Sequence, residues 1–101
     1  MVQVIDNLTR IEGEILARAS HPSLGDYDLL NVRIDAAAPV EGRADLLSSH
    51  VGETMGFSVR RDLLGSATAG DILHCRAKRI PDGAMCEPHP DAGDFQVEAS
   101  H

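Results

Sequence analysis

Over most of this chain the apolar positions recur with a period of two. In residues 10–19, RIEGEILARA, Ile11, Gly13, Ile15 and Ala17 share one face and Arg10, Glu12, Glu14 and Arg18 the other, while Leu16 breaks the alternation. Residues 28–36, DLLNVRIDA, set Leu30, Val32, Ile34 and Ala36 inward against Asn31, Arg33 and Asp35. Residues 53–60 place Met55, Phe57 and Val59 inside. Residues 71–80 place Leu73, Cys75 and Ala77 inside, with His74, Arg76 and Lys78 outside. Successive side chains of a strand point to opposite faces, so each stretch predicts a half-buried antiparallel strand. A fifth, short strand is expected beyond an Asp82-Gly83 turn, ended by Pro88 and Pro90, which donate nothing to a ladder. Phe95-Gln96-Val97 offers a sixth, at an edge, within a segment from 90 to 101 that otherwise reads as a tail.

A repeated turn punctuates these strands. Gly25-Asp26, Gly70-Asp71 and Gly93-Asp94 each precede an apolar stretch, and glycine followed by a turn-capping aspartate marks a strand entry. Helix is scarce: Gly42–Ser48 and Arg61–Leu64 have room for one or two turns each, too short to stand without packing. The expectation is one all-β domain over residues 1–101 with its core about 8–89. It is a small antiparallel five- or six-stranded barrel with one or two short helical turns.

The strand order, the short helical plug and the rhythm of VRRDLLGSATAGDILHCRAK resemble an OB-fold small barrel over roughly residues 10–89. The resemblance is architectural and rests on no sequence motif. It departs from the usual pattern in its loops: residues 61–70 leave space for about one helical turn between strands three and four, and the longer connection, 37–52, comes one strand earlier.

Composition narrows the partners. Among 101 residues there is no Trp, one Tyr and two Phe, so aliphatic side chains must fill the core and stacking platforms for bases are nearly absent. The net charge of −7 repels polyanions at long range. Residues 60–80 nevertheless hold Arg60, Arg61, Arg76, Lys78 and Arg79, and Arg60, Arg76 and Lys78 are candidates for one basic face across neighbouring strands. No stretch is long and apolar enough to span a membrane, Met1–Asp6 lacks the features of a secretory signal, and two cysteines fit reduced thiols, so a cytoplasmic location is expected.

The richest chemistry lies in HCRAKRIPDGAMCEPHPD, residues 74–91, which holds both cysteines and two of the five histidines. Strand parity separates them. With a two-residue loop at Asp82-Gly83, Lys78 falls opposite Glu87, Cys75 and Cys86 share the inner face, and His74 and His89 share the outer one. A four-ligand Cys/His site needs both faces at once, so the thiols read as small buried hydrophobes. In that register Cys86 lies opposite Arg79, four residues from Cys75 and beyond the roughly 7 Å a disulfide spans.

Three weaker signals complete the reading. Gly65–Gly70 has the glycine spacing of a phosphate loop, but Asp71 stands where a lysine is required. Ser48-Ser49-His50 sets a hydroxyl beside an imidazole without a nucleophile elbow. Asp26 and Asp28 read as turn caps facing water. With nucleophile, base and oxyanion donor nowhere combined, the reading leans away from an enzyme and implies no cofactor. The function expected is a non-catalytic binding or accessory module, acting on a protein partner or as a homo-oligomer, with Arg60, Arg76, Lys78 and Glu87 as the candidate contact residues. The alternatives are a weak metal or small-molecule site at His74, Glu87 and His89, and single-stranded nucleic acid on Arg60, Arg76 and Lys78.

Overall fold

A computed structural model describes residues 6–100; residues 1–5, read above for a targeting signal, lie outside the described residues. The strands are β1 (Thr9–Ser20), β2 (Tyr27–Pro39), β3 (Thr54–Arg60), β4 (Ile72–Ile80), β5 (Gly83–Cys86) and β6 (Phe95–Glu98). Strands β1-β2-β3-β5-β4 hydrogen-bond in that order, and β4 pairs back onto β1 to close a five-stranded barrel. The architecture is OB-fold-like. One helical turn, α1 (Arg61–Leu64), joins β3 to β4 and buries Leu64. Among the described residues no helix is long and apolar enough to cross a membrane.

The sheet is mixed, where a purely antiparallel one was expected: β3 and β5 run parallel. The reason is arithmetic. Directions cannot alternate all the way round a ring with an odd number of strands, so one neighbouring pair must agree. The cost falls on the shortest pairing, in which Phe57 meets Ala84 and Ser58 meets Met85.

Parity holds through most of the core, where Ile11, Ile15, Leu30, Val32, Ile34, Phe57, Val59, Leu73 and Ala77 are almost fully enclosed. It fails in two places, and both are bulges between β1 and β2. Leu16 is skipped between Ile15↔Val32 and Ala17↔Asn31, which turns Ala17 outward and brings Arg18 into phase with Leu30. Asp35 is skipped between Gly13↔Ile34 and Glu12↔Ala36, so Ala36 is exposed and Ala37 packs against the core instead. Inserting one residue in one strand sharpens the local coil of the sheet, which a narrow barrel needs. Gly13 lies between these bulges, where a Cβ would overlap the Arg33 carbonyl and a Val32 methyl.

The β4–β5 hairpin turns at Pro81-Asp82, two residues of register away from the expected Asp82-Gly83 loop. Ile80 pairs with Gly83, Lys78 with Met85 and Ala77 with Cys86. Gly83 (φ 147°) is instead the first strand residue, and its lack of a side chain lets β5 lie against the Gly56 carbonyl of β3. The Arg79 guanidinium donates to the Ile80 and Gly83 carbonyls and clasps the turn. The Asn7 amide exchanges two hydrogen bonds with the Arg79 backbone, supplying a partner where the ladder ends.

Strands β5 and β6 lie end to end along one edge of β4, β5 beside Ala77–Ile80 and β6 beside Ile72–Cys75. Phe95 and Val97 pack on the core, so the sixth strand seals the barrel wall. The expected helix at Gly42–Ser48 is absent. Gly42 adopts φ 79°, and the Asp45 carboxylate accepts the Leu47 and Ser48 amides, starting a 3-10 turn at Ser48–His50. The same carboxylate accepts the Thr9 hydroxyl, tying this loop to β1.

Candidate functional site

Arg60, Arg76 and Lys78 do not form an unopposed basic face. Strand β5 intervenes between β3 and β4, and each arginine meets its own acid. Arg60 bonds Asp62, the Pro88 carbonyl and His89 Nδ1. Arg76 grips Glu87 through two bonds of 2.7 Å, with Asp94 3.7 Å away. Glu87 therefore pairs with Arg76 and not with Lys78, as the shifted hairpin register requires. Among the described residues Lys78 is exposed and has no ion-pair partner. Five further arginines are similarly engaged, while Arg79 is held by the Ile80 and Gly83 carbonyls. Arg10 meets Asp94, Arg33 meets Glu14 and Asp35, Arg43 meets Asp6, and Arg18 and Arg61 share Asp28.

The three candidate metal residues occupy different surroundings. His74 lies between two carboxylates, Nδ1 3.5 Å from Glu12 and Nε2 2.7 Å from Glu98. These sit at opposite ring nitrogens, so they do not converge on one point. Glu87 is taken by Arg76. His89, freed from the strand when β5 ends at Cys86, sits with Arg60, Tyr27 and Asp62 around a polar hollow of about 580 Å³. No group of three or more His, Cys, Asp or Glu side chains among the described residues is arranged to hold a metal ion.

Asp28, read as a surface turn cap, is buried at 5% exposure. Its two oxygens accept from Arg18 (2.8 Å) and Arg61 (2.9 Å), and the Arg18 hydrogen bond leads in holding its carboxyl below the usual range against the opposing effect of burial. Arg18 also donates to the Gly65 and Ala67 carbonyls, so this cluster fastens the α1 loop across one barrel mouth. Both Asp28 oxygens and the two loop carbonyls are thereby satisfied within the fold.

What the sequence reading missed lies on the outer face of β2, β3 and β5. A shallow groove of about 400 Å³ has Leu29, Gly56, Ser58 and Met85 as its floor. One wall is the β1–β2 loop, His21 to Leu24; the other is Ile80 with Asp82 at the β4–β5 turn. His21 Nδ1 accepts the Ser23 and Leu24 amides and shapes the first wall, leaving Leu24 37% exposed. The signal was available. Leu29, Ile80 and Met85 are large apolar residues at outward positions of their strands. Among the described residues no arginine or lysine lines the groove, and Asp82 is its one carboxylate.

No protein-family model matches the chain, and no curated protein or solved structure is significantly similar to it.

Proposed function

We propose that this protein is a non-catalytic binding module whose β2–β3–β5 groove takes an apolar segment of another protein carrying at least one basic side chain. The observation that carries this reading is the composition of the groove, an apolar floor between two loop walls with one acidic group and no cation. Burying Leu24, Leu29 and Met85 under a partner removes apolar surface from water, the main source of protein–protein affinity. Asp82 and the net charge of −7 favour a basic contact at the rim.

The same composition weighs against single-stranded nucleic acid. Single-strand binding needs uncommitted cations for the phosphates and aromatic side chains on which the bases stack. Arg60 and Arg76 would have to abandon Asp62 and Glu87 first. A metal at His74, Glu87 and His89 would likewise require three side chains to leave separate partners.

Selection of a random peptide library on the immobilised protein tests the reading. Enrichment of apolar, lysine- or arginine-containing peptides, with binding reduced about tenfold or more by Leu24→Asp or Met85→Lys, is expected. Two results would overturn it: peptides indifferent to both substitutions, or oligothymidine binding that disappears in Arg60→Ala and Arg76→Ala. A concentration-dependent dimer abolished by Leu24→Asp would replace the foreign segment with a second copy of this chain.

A further inference from the structure

The β4–β5 register overturns one exclusion drawn from the sequence. Cys86 lies opposite Ala77, so Cys75 is its diagonal neighbour, two residues along β4, rather than four residues away. Both side chains point into the core, with exposures of 2% and 1%. Diagonal neighbours in a flat sheet keep their Cα atoms about 7–8 Å apart, just beyond disulfide range. In this coiled barrel the sulfurs nevertheless meet at 3.1 Å, the Cys86 thiol donating to the Cys75 sulfur. About 1 Å of further approach would bring them to bonding distance.

We propose that Cys75 and Cys86 are a site of reversible oxidation, at which a hydroperoxide converts the two thiols into an intramolecular disulfide fastening β5 to β4. The chemistry balances in two steps. One thiolate sulfur attacks the peroxide, cleaving the O–O bond; hydrogen peroxide yields a sulfenic acid and one water. The other sulfur then attacks the sulfenic sulfur, forming the S–S bond and releasing a second water with the remaining thiol proton. Each sulfur gives up one electron, and the peroxide takes both.

Burial and position set the pace and the consequence. The neighbouring Cys75 and its own enclosure push the Cys86 thiol well up, so the closed barrel keeps that thiol neutral and slow to react. Phe95 of β6 stands opposite Cys75 and covers it from one edge. Oxidation therefore proceeds through local opening of β5 and β6, and sub-denaturing urea accelerates it. Once formed, the bond secures the strand that has the least backbone pairing to β3.

Hydrogen peroxide treatment of the reduced full chain, followed by denaturation, alkylation and intact mass measurement, decides the matter. A monomer about 2 Da lighter, closed to alkylation and restored by dithiothreitol, is expected. Its melting temperature should rise by about 10 °C. Cys75→Ala and Cys86→Ala should instead add oxygen or form dimers. Wild-type protein that only gains mass in about 16 Da steps would overturn the proposal. So would protein that stays unreacted in urea, or an oxidised form that melts below the reduced one.

Discussion

Along β1 and β2 the ladder runs from Thr9↔Pro39 to Ser20↔Asp28, whereas β3 and β5 meet over Phe57↔Ala84 and Ser58↔Met85. Both seams rely on a glycine whose missing side chain admits a neighbouring carbonyl, Gly13 facing Arg33 and Gly83 facing Gly56. The long seam absorbs irregularity: it carries two bulges and still holds its flanking pairs. The short seam has no spare pairs, and it adjoins the groove, since Met85 and Ser58 belong to both. Extent of pairing thus separates the wall that gives the barrel its shape from the wall that presents its candidate binding surface.

The largest effect should come from breaking the short seam. Gly83→Ala combines overlap with the Gly56 carbonyl and a positive φ, and should cost about 4 kcal/mol. Gly13→Ala meets an equally hard neighbour on the long seam without that φ, and about 2 kcal/mol is expected. Urea unfolding of the two variants reads the ratio directly, and equal losses would remove the distinction.

A smaller effect tests the far end of the long seam. Arg18→Met leaves buried Asp28 with one cation and strands the Gly65 and Ala67 carbonyls, for a loss of about 2 kcal/mol. Arg61→Met should lose about half as much, because Arg61 is 49% exposed against 21% for Arg18. Chemical denaturation of both variants at neutral pH checks the order.

Acid should produce a change on the same modest scale. Ser48, through its side chain first and its amide as well, Thr9 and Leu47 hold the Asp45 carboxyl down from 3.8 to about 2. A lowered carboxyl binds its proton more readily in the unfolded chain. The stabilisation is therefore complete above about pH 4 and lost as pH falls toward 2, a change of roughly 1–2 kcal/mol. Asp28 adds to the same window. Unfolding midpoints from pH 5 downward should fall for the wild type and fall less for Asp45→Asn.

Strand identity was legible because burial on one face writes itself into the sequence as alternation. Ile11, Val32, Phe57, Leu73 and their neighbours sit where parity put them. The bulges were only half legible: the break in alternation at Leu16 marks one, whereas nothing local marks the skip at Asp35, which answers to the coiling of the closed ring as a whole. The hairpin slipped by two because Asp82-Gly83 carries a strong local turn signal, while Gly83 is needed as a strand residue against Gly56, contributed by distant sequence. An even slip preserves which face each side chain takes, so the thiols were placed inward correctly and only their distance was misjudged. Arg60 and Arg76 looked like one patch because their carboxylate partners are supplied by other elements of the fold.

Arg76 touches Glu87, where the chain leaves the edge of β4, and approaches Asp94, where it is about to return. One side chain thus buckles both ends of the excursion from 87 to 94. Residues inserted or exchanged between Pro88 and Gly93 would lengthen the belt without shifting either flanking strand, which makes this stretch the natural place for new specificity to be added while the barrel stays as it is.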